Sequence, residues 1–182
     1  AGPEQCAGLL RHGGSAQPLP AYQAINNDEL RGKFEKAWGE ALPDKPGLTV
    51  VEMMNAAGRG EIQAMYIMGE NPAVSDPDIS HVIEALKSLD FLVVQDIFLS
   101  ETAALAHVVL PATSSLEKDG TFTNTERRVQ RIRKAIEPVG ESRPDWMIIS
   151  DLAARMGYGE QFCYRHPSQI MDEASALSPS YG

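Results

Sequence analysis

Apolar positions recur along the middle of this chain first at helical and then at strand spacing. From Asn27 to Gly39 (NDELRGKFEKAWG), Leu30, Phe34 and Trp38 return every fourth residue behind an Asn/Asp start, which predicts a short amphipathic helix. Pro43 and Pro46 break the pattern. Thr49 opens a second helix, TVVEMMNAAGRG, with Val50, Met53, Met54 and Ala57 on one side and Gly58 or Gly60 as its stop. Between Ile62 and Met68 the run IQAMYIM is short and mostly apolar, as a strand covered on both faces should be. Pro77 to Leu89 is helical again, with Ile79, Val82, Ile83, Leu86 and Leu89 as its stripe, and FLVVQDIF at 91–98 is a second apolar strand. Strand, helix and strand in this order make one βαβ unit, whose strands should be parallel and whose crossover should be right-handed.

Residues 100–106, SETAALA, allow a turn or two of helix before HVVLPA, a third short apolar run closed by Pro111. Thr113 to Arg128 is polar and glycine-marked, so it is expected to cross the crest of the sheet as a loop, and 129–138 reads as an extended edge segment. DWMIISDLAARMG at 145–157 has helical spacing, with Asp145 at its cap and Gly157 after it. The fold class is therefore α/β: a three-layer α/β/α, Rossmann-like domain with a mainly parallel sheet over residues 27–158. Residues 1–26 form an irregular start, and 159–182 read as a departing linker with one weak helix, SQIMDEASAL. No internal repeat is visible. The start lacks a methionine and is rich in glycine and proline, as the interior of a longer polypeptide looks when cut, so the chain is expected to be a fragment.

Composition narrows the function. The 182 residues are 43% hydrophobic and 23% charged, with a net charge of −9 that disfavours nucleic-acid binding, because such surfaces carry a basic docking field. Only Cys6 and Cys163 are present, far apart and with no CxxC or Cys/His cluster, so neither zinc nor an iron–sulfur cluster can be assembled from this segment alone. No apolar run is long enough to span a membrane, and the first residues lack the basic start and apolar core of a signal peptide.

Three polar loops follow the three strand ends: Gly69, Glu70 and Asn71; Gln95 and Asp96; and Thr113 to Gly120. In a parallel sheet they share the carboxyl edge, where open α/β folds place their ligands. The chemistry suits a purine nucleotide. An ionised carboxylate such as Asp96 can accept two hydrogens from a guanine edge or a ribose diol, and Lys118 can offer a point charge to a diphosphate. GxGxxG and GxxxxGK[ST] are both absent. Each feature also has a plainer reading. Gly69 with Pro72 makes an ordinary turn, Asp96 can cap the short helix near Ser100, and Lys118 between Glu117 and Asp119 is by default a solvated charge. ERR at 126–128 reads as an exposed basic stretch, and His107 as packed or hydrogen-bonded rather than catalytic. Cys6 with His12, or Cys163 with His166, lacks the third group that would orient a catalytic pair.

YIMGENP, then VVQDIFLSETAALAHVVLPATSSLEKDGTFTNTERRVQRIRKAIEP, then RPDWMIISDLAARMGY, in this order and spacing, resemble the catalytic subunit of molybdenum- or tungsten-dependent formate dehydrogenases, within the molybdopterin oxidoreductases. The resemblance runs over about residues 27–158. It implies one α/β domain of a multidomain enzyme that holds two molybdopterin guanine dinucleotides, with the guanosine end of one against the carboxyl edge of this sheet. Carried onto this sequence, Gly69, Glu70 and Asn71 match the loop after the first strand, and Gln95 and Asp96 the nucleotide-reading pair. Thr102 matches the threonine of the following TA turn, Lys118 a loop contact, and Asp145 an acid at the last helix start. His107 departs from the pattern, standing where the family usually has an acid.

The same resemblance places the family's metal ligand and its iron–sulfur cysteines outside these residues, so no catalytic or metal residue is expected here and the isolated segment is expected to be inactive. It implies as partners the other domains of the same subunit and electron-transfer subunits, with neither nucleic acid nor membrane, and a cytoplasmic location unless an export signal lies upstream. Another molybdopterin oxidoreductase such as a nitrate reductase, or a non-catalytic nucleotide-binding or interaction module, are the alternative readings.

Overall fold

The computed structural model describes residues 19–126, 128–178 and 181; Cys6 and His12, with the rest of residues 1–18, and Arg127 lie outside them. Helix α1 (Asp28–Trp38) begins where Asn27 Oδ1 accepts from the amides of Glu29 and Leu30 and ends on Gly39 in the left-handed region. Helix α2 (Val50–Gly58) opens on a capping box, in which Glu52 accepts from the Thr49 amide at 2.7 Å and Thr49 Oγ1 from the Glu52 amide. Strand β1 (Ala64–Met68) follows, then the single turn α3 (Pro72–Ser75), which sequence pattern did not anticipate, and α4 (Ile79–Lys87). Next come β2 (Phe91–Asp96) and β3 (Val108–Pro111), joined through a 3₁₀ turn at Ala103–Leu105.

The three strands are adjacent in the order β1-β2-β3 and both pairings are parallel, with Met68 opposite Gln95 and Asp96 opposite Pro111. The α/β class and the parallel sheet are thus as the hydrophobic pattern predicts. Successive side chains of a strand leave opposite faces. Ile67, Leu92 and Val94 enter the core with Met54 and Ala57 of α2 and Val82 and Leu86 of α4. The opposite face carries Tyr66 and Gln95, which the first turn of α5 (Asp145–Arg155) reaches.

Three expectations need correction. The segment 113–128 is not a plain loop: Gly120–Thr123 forms β4, paired antiparallel with β5 (Val129–Ile132) in a separate two-stranded sheet. The short TFT alternation is hidden by glycine and asparagine, and only its pairing with β5 across the short 124–128 connection makes it a strand. By the same pairing, the extended residues after 128 do not join the edge of the main sheet. Finally, Asp145 is the first helical residue rather than the cap, a place taken by Pro144, which frees its carboxylate for the interior.

Beyond α5, helix α6 (Pro167–Leu177) packs back onto α1. Leu19, Ile25, Phe34 and Leu177 form a second small core, Trp38 Nε1 donates to Glu173 at 2.9 Å, and Lys33 Nζ donates to the Leu177 carbonyl at 2.6 Å. No helix is long and apolar enough to cross a membrane among the described residues.

Candidate functional site

At the carboxyl edge of the sheet the chain leaves β1 through Gly69, whose φ of +63° lies in the left-handed region and whose amide donates to the Gln95 carbonyl at 2.9 Å. A Cβ built at Gly69 would meet nothing within 4 Å, so the backbone there is open to approach. Glu70 is half-buried beside it. Asn71 turns inward. Its Oδ1 accepts from the amide of Thr102 at 3.1 Å and from the Thr102 hydroxyl at 2.7 Å, and its Nδ2 donates to Glu101 at 2.7 Å, which holds the Glu101 carboxyl below its ordinary pKa. Thr102 is fully buried and its Oγ1 accepts in turn from the Ala73 amide. The loops after β1 and β2 are thereby locked together by one asparagine.

Asp96 stands at the end of β2, partly exposed. Its Oδ1 accepts from the Ile97 amide at 2.7 Å and its Oδ2 faces the Ser100 hydroxyl at 3.4 Å. The loop it anchors presents Ile97, Phe98 and Leu99 to solvent, the last two at 75% and 76% exposure.

Gln95 leaves the other face and is 0% exposed. Tyr66 donates its hydroxyl to Gln95 Oε1, Gln95 Nε2 donates to Asp145 Oδ1 at 2.7 Å, and Lys118 Nζ pairs with Asp145 Oδ2. Burial, and after it the charge of Asp145, push the Tyr66 phenol above its usual pKa, so it stays a donor. Lys118 is held by the turn at Ser115–Glu117. Glu117 accepts from the Ser114 amide at 2.7 Å and from the Val139 amide at 2.6 Å, and these bonds, Ser114's first, keep its carboxyl below the usual range. Thr113, buried just beyond β3, has a hydroxyl without a hydrogen-bond partner among the described residues.

Of the eight residues singled out in sequence, the structure therefore ties together two groups, Asn71 with Thr102 and Gln95 with Asp145 and Lys118, joined by the Gly69–Gln95 backbone bond. Asp96 engages its own loop and not Lys118. Pattern reading missed Tyr66, Ser100 and Glu117. For Tyr66 a signal existed, since it shares the face of Met68 in β1 and hence of Gln95 in β2. His107 Nδ1 accepts from the Leu92 amide at 2.9 Å and its ring stacks on Phe91, so it serves the packing of β3. Cys163 is exposed and free, and His166 Nδ1 engages Ser168 rather than a thiol. Among the described residues no group of three or more His, Cys, Asp or Glu is placed to hold a metal ion.

The sequence model described as molybdopterin oxidoreductase matches residues 7–155. The chain is 53% identical over 163 residues to the putative formate dehydrogenase YrhE of Bacillus subtilis (strain 168), covering 90% of this chain and 16% of that protein. It is 51% identical over 180 residues to the F420-dependent formate dehydrogenase subunit alpha of Methanocaldococcus jannaschii, covering 99% of this chain and 26% of the relative. Among solved structures, acetylene hydratase from Pelobacter acetylenicus shares the fold with a TM-score of 0.62 at 22% identity, over 81% of this chain and 22% of that one. The chain thus spans only about a sixth to a quarter of these relatives' lengths. On the match of its strands, its loops and most of its length, it belongs to the molybdopterin oxidoreductase family.

Proposed function

We propose that this chain holds the guanosine end of a molybdopterin guanine dinucleotide, as part of an enzyme that oxidises formate to carbon dioxide. One observation carries the reading: three adjacent parallel strands deliver Gly69–Asn71, Asp96 and the Thr113–Lys118 loop to one edge of the sheet. The donor set fits such a group. Gly69 leaves room for close approach, Asp96 offers a carboxylate acceptor at a half-open position, Lys118 offers a cation, and the Thr113 hydroxyl is not used by the fold itself. Glu70 and Asn71 line the first loop, and Thr102 keeps that loop in place. Gln95 and Asp145 belong to the same site from beneath, next to Lys118.

When bound, the pterin-held molybdenum or tungsten supplies the redox chemistry. The residues of this chain bind and orient the nucleotide tail. The formate part of the reading is supported by relatives at about half identity that carry that name. The second dinucleotide, an iron–sulfur cluster, electron-transfer subunits and a cytoplasmic setting accompany this reading as parts of the same proposal.

The test titrates GDP and ADP into the full-length polypeptide that carries these residues and follows formate-dependent dye reduction after cofactor loading. Preference for GDP together with formate-dependent reduction is expected. Equal affinity for the two nucleotides overturns the guanosine assignment, and loaded protein that reduces dye with nitrogenous or sulfur substrates but not formate overturns the choice of reaction.

A further inference from the structure

We propose that Tyr66 and Gln95 are positioning residues that fix Lys118 against the diphosphate, so that the preference of this site for a diphosphate over an unphosphorylated nucleoside passes through them. The proposal rests on the nucleotide reading above and adds to it a partly buried relay with one fixed polarity, centred on buried Gln95. The Tyr66 hydroxyl donates to Gln95 Oε1, which leaves the amide nitrogen to face Asp145 Oδ1 at 2.7 Å. Turning the amide over would set the amide oxygen against the carboxylate oxygen at the Asp145 end, so that end fixes the polarity. Asp145 then has a single well-defined oxygen left for the Lys118 ammonium.

Gln95 is 0% exposed and sits under the edge, so it offers no surface to a ligand, and any influence it has on binding runs through Asp145. Lys118 and Asp145 keep 22% and 31% of their side-chain surface, enough for the remaining ammonium hydrogens to meet an anion. A lysine on a loop ordinarily loses much rotamer freedom when it binds a phosphate. Here that ordering is in place before the ligand arrives, which is how preorganisation raises affinity. Asp145 lies in the first turn of α5, so its carboxylate is held on a helix rather than on a loop and gives Lys118 a fixed partner.

A purely structural tie between β1, β2 and α5 would show the same hydrogen bonds, and the experiment must separate the two. It is a double-mutant cycle in the full-length polypeptide freed of bound nucleotide, with GDP and guanosine as calorimetric probes. Tyr66→Phe keeps the ring and removes only the hydroxyl. GDP affinity is expected to fall about threefold to tenfold, the range of one ordinary hydrogen bond, while guanosine affinity stays unchanged. Tm falls as well, because buried Gln95 Oε1 loses its donor, so the split between GDP and guanosine is the discriminating readout. In a Lys118→Met background the same substitution should have no further effect on GDP, because the two residues act in series. Gln95→Met should repeat the pattern, and Tyr66→Phe alone decides the matter if that variant does not fold. Equal losses for GDP and guanosine, or effects of Tyr66→Phe and Lys118→Met that simply add, overturn the proposal. Failure of the unsubstituted protein to bind GDP at all overturns the nucleotide reading, and this proposal with it.

Discussion

Gln95 and Asp96 are neighbours in β2, yet the pleat sends them to opposite faces: Gln95 is sealed against Asp145, while Asp96 turns outward to the Ile97 amide and the Ser100 hydroxyl. Two polar residues that look like a pair in sequence therefore do different work, one beneath the edge and one at it.

Asp96 can be split into its two roles by Asp96→Asn. The amide oxygen still accepts from the Ile97 amide, so unfolding in urea should be unchanged within error, while guanine-nucleotide affinity falls by about 1.5–3 kcal/mol, the range for a hydrogen bond to a charged group. Lost stability with retained binding would show that Asp96 serves only its loop.

Asn71 is expected to matter for folding. Asn71→Ala leaves the amide of fully buried Thr102 without its acceptor, which should cost about 1–3 kcal/mol, read as a lower urea midpoint at constant slope. A neutral result would mean that water or a rotated Thr102 replaces the bond.

Gly69 is required for its backbone. Gly69→Ala meets no neighbour, but φ of +63° disfavours an L-residue by about 1–2 kcal/mol, so stability should drop by that order without any new steric clash in a structure of the variant. An unchanged midpoint would show that the loop relaxes to another conformation.

Glu117 predicts an acid-limb effect. Because its folded pKa is depressed by Ser114 and Val139, its contribution is present above the ordinary carboxylate value of about 4.3 and is lost as pH falls through the lower folded one. Glu117→Gln supplies one acceptor oxygen where two are used, so its Tm should lie below that of the parent at pH 7, and the gap should narrow on acidification below about pH 4.3. Parallel Tm curves would count against Glu117 as the anchor of the Lys118 loop.

The elements legible in sequence are those whose determinants are local. Asn27 and Thr49 cap their helices with their own neighbours, and the stripe of α4 lies within a single segment. The strands of the main sheet were legible as apolar runs, although β2 ends at Asp96 and leaves Ile97 to Leu99 outside. What was not legible depends on partners outside the segment itself. The pairing of β4 with β5 exists only across a turn, and α3 is a single turn set by Pro72 and by Thr102 accepting from Ala73. In the site, polar residues after strands could be collected from the pattern, but the burial of Gln95 could not, since a glutamine at a strand end reads as ligand-facing until α5 is placed over it. The Tyr66 link needed the register that sets Met68 opposite Gln95.

Leu19 and Leu177 share one small core with Phe34, and both Gln23 and Lys33 donate to the Leu177 carbonyl. Leu19 and Leu177, near the two ends of the described chain, thus lie together, like a loop pinched at its neck. Joining such points requires little chain and little closure entropy. The body can therefore be carried inside a longer polypeptide, or circularly permuted by a short linker across that neck, while the sheet edge with Gly69, Asp96 and Lys118, none of which belongs to that small core, keeps its geometry.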